Sequence, residues 1–271
     1  MPRCISILGC GYLGYPLAQR CVHLGYEVKG STTSIEKLAL LKESSITPFL
    51  ISCQPQVDGK DLETFFQSEV LFLNIPFRRK LSDPTVYKKQ MESVISHVVR
   101  SPIQWVIFAS SSSVYPAQIT DAKEDVPFVA DTPRSQVLYD TEEMLLCQKN
   151  FKTTVVRFAG LVGGARYIGQ FLEKNFDVGD PQSPVNLIHL DDAVGLVVNI
   201  LQQNIQGGIL NAVCDQHPTR EELYTQAALK RGLKLPVFHS GLRKHNRIVS
   251  NDKVKKCLNY KFLYPDPLGM L

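Results

Sequence analysis

Three glycines, Gly9, Gly11 and Gly14, stand in the stretch ILGCGYLGYPLA, straight after an apolar run and straight before a helix-forming one. The chemistry this spacing supports is the holding of a pyrophosphate. Gly9 allows a tight turn, Gly11 lets the backbone approach the phosphate oxygens, and Gly14 lets the helix lie close to the strand. The start of that helix adds N–H groups and a partial positive charge. G-x-G-x-x-G alone is weak, but here a strand precedes it and a helix follows it within a βαβ unit, against the rival reading of a plain strand–helix turn. With the intervening Cys10, Tyr12 and Leu13, the six residues 9–14 form the first candidate cofactor-binding set, a dinucleotide cradle.

Which dinucleotide is decided at the end of the second strand, roughly 20 residues on, where an Asp or Glu would grip the ribose hydroxyls of NAD. The sequence there is KGSTTSIEK, with no acid before Glu36. Ser31, Thr32 and Thr33 can donate hydrogen bonds to a 2′-phosphate, and Lys29 or Lys37 can supply charge. Thr33, three before Glu36, has a competing reading as a helix cap. The balance favours NADP over NAD. Asn74, Ile75 and Pro76 end the fourth strand at the carboxyl edge, where open α/β sheets bind ligands, and are expected to line the cofactor cleft. Arg78, Arg79 and Lys80 follow at once, and a solvated loop is favoured there over a phosphate or carboxylate clamp.

Positioning these residues requires alternating strands and helices. Strands are expected at 4–9, 26–31, 46–52, 69–76, 103–110 and 151–160, with helices at 13–25, 34–44, 82–100 and 139–149 between them. The helix at 82–100 has Ser82 or Asp83 as its cap and Pro84 in its first turn. Strands this apolar, spaced by helices, predict a parallel sheet covered on both faces. Beyond about residue 160 lie Gly- and Pro-rich loops, a strand at 185–190, a helix at 191–203 and one from 219, where Thr219 and Glu222 have capping-box spacing. The expected class is α/β, a Rossmann-like doubly wound parallel sheet over 1–160, with a smaller substrate-side part over 161–271 and chain crossovers between them.

The 271 residues, 44% hydrophobic and 21% charged, are ample for a buried core, and a net charge of +4 with scattered basic residues argues against nucleic acid. Seven cysteines, odd in number and never in a C-x-x-C pair, argue against a disulfide framework and for a reducing cytoplasmic setting. No run approaches the roughly 18 apolar residues of a membrane span. His and carboxylate spacings such as H-x-x-x-H are missing, so no metal is expected. At the junction holding His189, Asp191 and Asp192, Asp191 reads as a helix cap rather than a catalytic acid.

The stretches WVIFASSSSVYP, VVRFAGLVGGARYIG, VNLIHLDDAVGLVVNIL and GGILNAV come in an order that resembles the extended short-chain dehydrogenase/reductase superfamily, the sugar-nucleotide epimerases and dehydratases. With LNIPFRR and YPDPL, the chain looks more closely like the atypical branch known as NAD-dependent epimerase/dehydratase-like proteins. The resemblance spans essentially the whole chain. It implies hydride transfer on a small polar substrate, such as a sugar or sugar nucleotide, and a homodimer as the assembly to test for. By resemblance Ser110 joins the cofactor-binding residues, and Ser111 matches the Ser/Thr that binds the substrate oxygen, its rival role being to tie off the strand end. Arg157 is placed near the nicotinamide end, or else in a structural ion pair, since a charge on a buried strand needs a partner.

Two departures stand out. Leu8 occupies the place of the family's first glycine, with Gly9 one later. The Tyr-x-x-x-Lys dyad, in which Lys lowers the Tyr pKa for proton transfer, is also broken. If Tyr139 is the dyad Tyr, Glu143 stands where Lys belongs; in the other alignment, Tyr139 falls in the Lys place and Ser135 in the Tyr place. Tyr139 is retained with Ser111 as a candidate catalytic residue. The rival to an enzyme is a non-enzymatic NADP-binding regulator or scaffold that has lost the dyad.

Overall fold

The computed structural model describes residues 3–77, 85–173, 177–239 and 246–271. The chain runs β1 (Cys4–Leu8), α1 (Gly14–His23), β2 (Glu27–Thr32), α2 (Glu36–Glu43), β3 (Thr47–Cys53), β4 (Val57–Gly59), α3 (Leu62–Phe66), β5 (Val70–Leu73), α4 (Thr85–Val99) and β6 (Trp105–Ser111). It continues through α5 (Pro133–Leu146), β7 (Lys152–Phe158), β8 (Gly160–Val162), β9 (Leu187–His189), α6 (Leu190–Gln202), β10 (Gly208–Ala212), α7 (Arg220–Arg231) and α8 (Asp252–Leu258).

Eight strands form one sheet in the order β10-β7-β6-β5-β1-β2-β3-β4, and β8 pairs with β9 in a separate parallel ribbon. The pairs β3–β2, β2–β1, β1–β5 and β5–β6 are parallel, and short β4 runs antiparallel on the edge of β3. Ile5 lies between Val28 and Val70, and Ile7 between Gly30 and Phe72. Strands covered on both faces have no polar side to show, which is why Ile5–Leu8 and Val70–Leu73 are buried throughout. After β1 the chain builds outward through β2 and β3, then returns to the other side of β1 as β5. That reversal opens a crevice at the carboxyl ends of β1 and β5. The Rossmann-like expectation is met.

Backbone contacts divide the chain into two interleaved units: Met1–Ser110 with Pro133–Val156 and Val197–Ile209, and Ser111–Thr132 with Arg157–Leu196 and Leu210–Leu271. In the first, Leu71, Leu73, Val106 and Phe108 pack with Tyr87, Met91 and Val94 of α4 and Leu145 of α5. Each such large side chain contributes roughly 1.5–3 kcal/mol on burial. The single tryptophan, Trp105, has its indole N–H donating to Thr154 Oγ1 at 2.9 Å, and Thr154 in turn donates to the Ile205 carbonyl at 2.8 Å. The second unit has its own core, in which Val162, Ile168 and Leu187 meet Leu223 and Ala227 of α7. Thr219 caps α7 by accepting from the Glu222 N–H, and Gly232, left-handed at φ 63°, ends it.

Several elements differ from the sequence expectation. β4, α3, β8 and α8 are additional; each, at seven residues or fewer, is too short to leave a periodic signal. Helix α5 begins at Pro133 rather than near 139, because proline suits a first helical turn whose N–H would be unpaired anyway. The expected caps Ser82 and Asp83, with Pro84, lie outside the described residues, as do Arg78, Arg79 and Lys80. Among the described residues no helix is long and apolar enough to cross a membrane, and no three His, Cys, Asp or Glu side chains group as for a metal.

Candidate dinucleotide-binding site

The three glycines do three different jobs. Gly9 has φ +109°, a region open to glycine, and a Cβ there would sit 2.5 Å from the Asn74 carbonyl oxygen. Gly14, the first residue of α1, has no room either: a Cβ would lie 2.2 Å from the Gly9 carbonyl oxygen. Gly11 is exposed, its backbone is outside the left-handed region, and a Cβ would meet nothing within 4 Å. The turn therefore needs Gly9 and Gly14 for its own shape, while the space over Gly11 is free for a ligand. No side chain caps α1 and no acid lies in its first turn. A glycine turn open over its middle residue, leading into such a helix start, fits a pyrophosphate.

The crevice partners hold the turn in place. Asn74 Nδ2 donates to the Gly9 carbonyl at 2.9 Å, and its backbone N–H donates to the Leu8 carbonyl at 3.0 Å. Ile75 packs partly on the core and its carbonyl accepts from the Tyr87 hydroxyl at 3.0 Å, while Pro76 is exposed. Ser31 is buried, and its Oγ accepts from the Gly9 N–H at 2.9 Å. Cys10 and Leu13 are buried and Tyr12 half-buried; burial pushes the Cys10 thiol up to about 12, so it stays protonated.

At the end of β2 the candidates separate. Thr32 accepts from the Ser34 N–H at 3.1 Å, and Thr33 is exposed. Thr33 does not cap α2, whose first turn has no side-chain cap; instead Ser34 donates to the Glu36 carboxylate, a bond that holds that exposed acid below its usual range. Lys29 turns away into the interior, where its Nζ donates to the Thr64 carbonyl at 2.9 Å and to the Gln67 carbonyl, closing the C-terminus of α3. Exposed Lys37 is the cation left near the strand end. Lys29→Met is accordingly expected to cost about 1–3 kcal/mol, since charged hydrogen bonds to two carbonyls are lost. Dinucleotide affinity should change by less than about twofold, read by urea unfolding and fluorescence titration; a tenfold loss of NADPH affinity alone would return Lys29 to the site.

The remaining candidates are placed as follows. Ser110 is buried and its hydroxyl donates to Glu142 Oε1 at 2.5 Å, a bond from β6 to a fully buried carboxylate on α5. Tyr139 and Glu143, one turn apart on α5, are both half-buried, while Ser135 is fully buried. In the second unit, Ser111 Oγ accepts from the Ser113 N–H at 3.2 Å and shares a hydrogen bond with Ser113 Oγ at 2.8 Å, capping the short 3-10 turn that follows.

Arg157 is buried with its guanidinium 4.8 Å from the Tyr115 ring centre. Tyr115 donates to Asn211 Oδ1 at 2.9 Å, and the Asn211 N–H donates to Glu124 Oε1 at 2.8 Å. Burial raises the pKa of both Tyr115 and Glu124, and the Arg157 charge pulls each back. Arg157 thus has structural partners of its own.

The junction before α6 is arranged differently from the expectation. His189, immediately before the helix, is the capping group: its Nδ1 accepts from the Asp191 N–H at 3.2 Å. The Asp191 side chain is 60% exposed, whereas Asp192 is fully buried and accepts from the backbone N–H groups of Leu263 and Tyr264 at 2.7 and 2.9 Å. Glu142, Tyr115 and Asp192 were not singled out as buried anchors by sequence reasoning. For the two acids the available signal was a charge on a helix that also carries buried apolar residues; Tyr115, just after the serine run, carried no such signal.

No protein-family model matches the chain. Its fold is shared with a short-chain dehydrogenase/reductase superfamily protein from Agrobacterium tumefaciens solved with bound NAD (TM-score 0.78, 15% identity, covering 96% of this chain and 93% of that one). It is shared equally with UDP-glucuronic acid 4-epimerase from Bacillus cereus in complex with NAD (TM-score 0.78, 19% identity, 98% and 96% covered). In sequence the chain is 30% identical over 269 residues to Protein YeeZ of Escherichia coli K12, covering 98% of each. Identity of that extent, end to end, places the chain in the YeeZ family, which has the fold of the extended short-chain dehydrogenases and epimerases.

Proposed function

We propose that the chain is a nicotinamide-dinucleotide-dependent enzyme of the reductase, epimerase or dehydratase type, acting on a small molecule. The observation that carries this is the glycine turn, closed by sterics at Gly9 and Gly14 and open over Gly11. Bound there, the dinucleotide would supply hydride exchange with a substrate carbon. The chain's own part is to hold the pyrophosphate on the turn and the start of α1, with Asn74 and Ser31 keeping Gly9 in its left-handed geometry. Ser111 offers a hydroxyl to a substrate oxygen, and Tyr139 offers a phenolic proton.

For the choice of dinucleotide, the missing carboxylate at the end of β2 supports NADP, with Thr33 and Lys37 as the residues facing a 2′-phosphate. The solved neighbours named above hold NAD, which makes the choice a matter for titration. Cofactor fluorescence is expected to report binding below about 100 μM, tighter for NADPH than NADH, with Lys37→Ala narrowing the gap. Equal or tighter NADH binding removes the NADP assignment, and no binding of either sinks the whole reading.

A second reading, a dinucleotide-binding regulator without catalysis, is favoured by Glu143 lying one turn from Tyr139 where a lysine would assist it. Turnover of a pool of aldehydes, ketones and sugar nucleotides separates the two. It is read as oxidation of the reduced cofactor for a reductase, and as chromatographic product formation for an epimerase or dehydratase, which return their hydride and consume no cofactor. Tyr139→Phe and Ser111→Ala are each expected to lower the rate about 100-fold. Turnover that both variants leave untouched removes these two residues from the mechanism.

A further inference from the structure

The second unit contains a cavity of about 520 Å³, within the range of pockets that enclose a drug-sized molecule. Its walls come from the β8–β9 ribbon, the turn that follows β8, and α7. Deep in it, Val162, Ile168 and Leu187 present aliphatic groups that belong to the unit's core and carry nothing to bond a sugar hydroxyl. The exposed side chains of Arg166, Gln170 and Glu173 bring polar groups to the rim, and half-buried Tyr224 adds a hydroxyl that burial keeps protonated.

Among the lining residues the charged side chains are Arg166 and Glu173, one of each sign, and a second guanidinium lies on a lining ring. Arg166 is exposed and held at the lip by a turn in which the Gly163 N–H donates to the Arg166 carbonyl at 2.7 Å and the Arg166 N–H returns a bond at 3.0 Å. Gly163 is needed for this turn, since it has φ +107° and a Cβ would lie 2.4 Å from His189 Nε2. A second guanidinium, Arg231, lies 3.6 Å from the centre of the Tyr167 ring, which lines the cavity. Glu173 is the one carboxylate among the lining residues, and it accepts a hydrogen bond from the Tyr167 hydroxyl.

We infer that this cavity binds a small anion with an apolar ring or chain, its carboxylate, sulfonate or phosphate at Arg166 and its apolar body against Val162, Ile168 and Leu187. The inference rests on the enzyme reading only in calling that anion a substrate; the binding itself stands on the cavity. It narrows the expected substrate from polar molecules in general to amphipathic anions.

The test uses the full chain and 8-anilinonaphthalene-1-sulfonate, a naphthalene ring with a sulfonate, whose fluorescence rises on leaving water. One saturable site is expected, emptied by 4-phenylbutyrate but not by NADPH or UDP-glucose. Arg166→Gln is expected to weaken it about tenfold or more, as loss of a charged hydrogen bond does. Leu161→Trp, at a half-buried lining position, should abolish it by filling the space. Both variants are checked for unchanged melting temperature and NADPH affinity, and if Leu161→Trp fails to fold, Arg166→Gln decides alone. Displacement by NADPH, displacement by UDP-glucose but not phenylbutyrate, or unaltered binding in Arg166→Gln each overturns the inference. Because NADPH is titrated on the same samples, failure here is distinguishable from failure of the dinucleotide reading.

Discussion

Gly9→Ala is expected to destabilise the protein by about 2–4 kcal/mol and to abolish dinucleotide binding, while Gly11→Ala leaves stability unchanged and weakens binding about tenfold or more. The two differ because their surroundings differ. At Gly9 an alanine must adopt a φ of +109°, which costs about 1–3 kcal/mol, and its Cβ meets backbone, the Asn74 carbonyl, 2.5 Å away. Backbone cannot rotate aside as a side chain would. The strand ends of β1 and β5 must part, and the hydrogen bonds from the Gly9 N–H to Ser31 and from Asn74 to the Gly9 carbonyl go with them.

At Gly11 neither cost arises in the free protein. A methyl group there projects into the space that a pyrophosphate would occupy, so the whole effect falls on the ligand. Gly14→Ala should resemble Gly9→Ala, because its Cβ would strike the Gly9 carbonyl at 2.2 Å and lever α1 off the turn. Thermal melting and NADPH titration of the three variants check this together. A fall of roughly 5–10 °C is expected for Gly9→Ala and within about 1 °C for Gly11→Ala. If Gly11→Ala binds NADPH as the unaltered protein does, no phosphate passes over this turn and the proposed function fails.

That contrast also explains what was legible in the sequence. A glycine's restriction is local: strand, turn and helix follow one another within residues 4–23, so spacing alone located this strand–turn–helix. The apolar strands were legible for the same reason, being buried on both faces. What escaped was decided by packing across long stretches of chain. Lys29 reads as a cation beside the cofactor until its ammonium is seen on the C-terminus of α3, 35 and 38 residues on. Ser110 and Ser111 are neighbours in a run of four serines, yet one bonds Glu142 and the other caps a turn. β4, with three residues, and α3, with five, are too short for a repeating pattern to accumulate.

The pair Asp191 and Asp192 is the sharpest case, and Asp192→Ala is the second large effect expected, a loss of about 3–5 kcal/mol. Consecutive helical residues point about 100° apart, so two adjacent acids meet different surroundings, and sequence does not say which of them is buried. Asp192 is the buried one. Its Oδ1 accepts from the Leu263 N–H at 2.7 Å and from the Tyr260 hydroxyl at 3.2 Å, and its Oδ2 accepts from the Tyr264 N–H at 2.9 Å.

One carboxylate therefore holds the C-terminal segment 260–264 on the start of α6, and the same segment lays Tyr264 on the His189 ring, 3.8 Å between centres. Removing it leaves two backbone donors without their acceptor, at about 1–3 kcal/mol each when buried. Asp192→Asn should be milder, because one oxygen survives while the new NH2 opposes the other donor. Tyr260→Phe should be milder still, at about 1 kcal/mol, for one lost hydrogen bond. Urea unfolding gives the order, and limited proteolysis gives the place, with cleavage after residue 258 expected first in Asp192→Ala. A change below about 1 kcal/mol, or cleavage elsewhere first, would show that the C-terminal segment is held by its apolar contacts and not by this carboxylate.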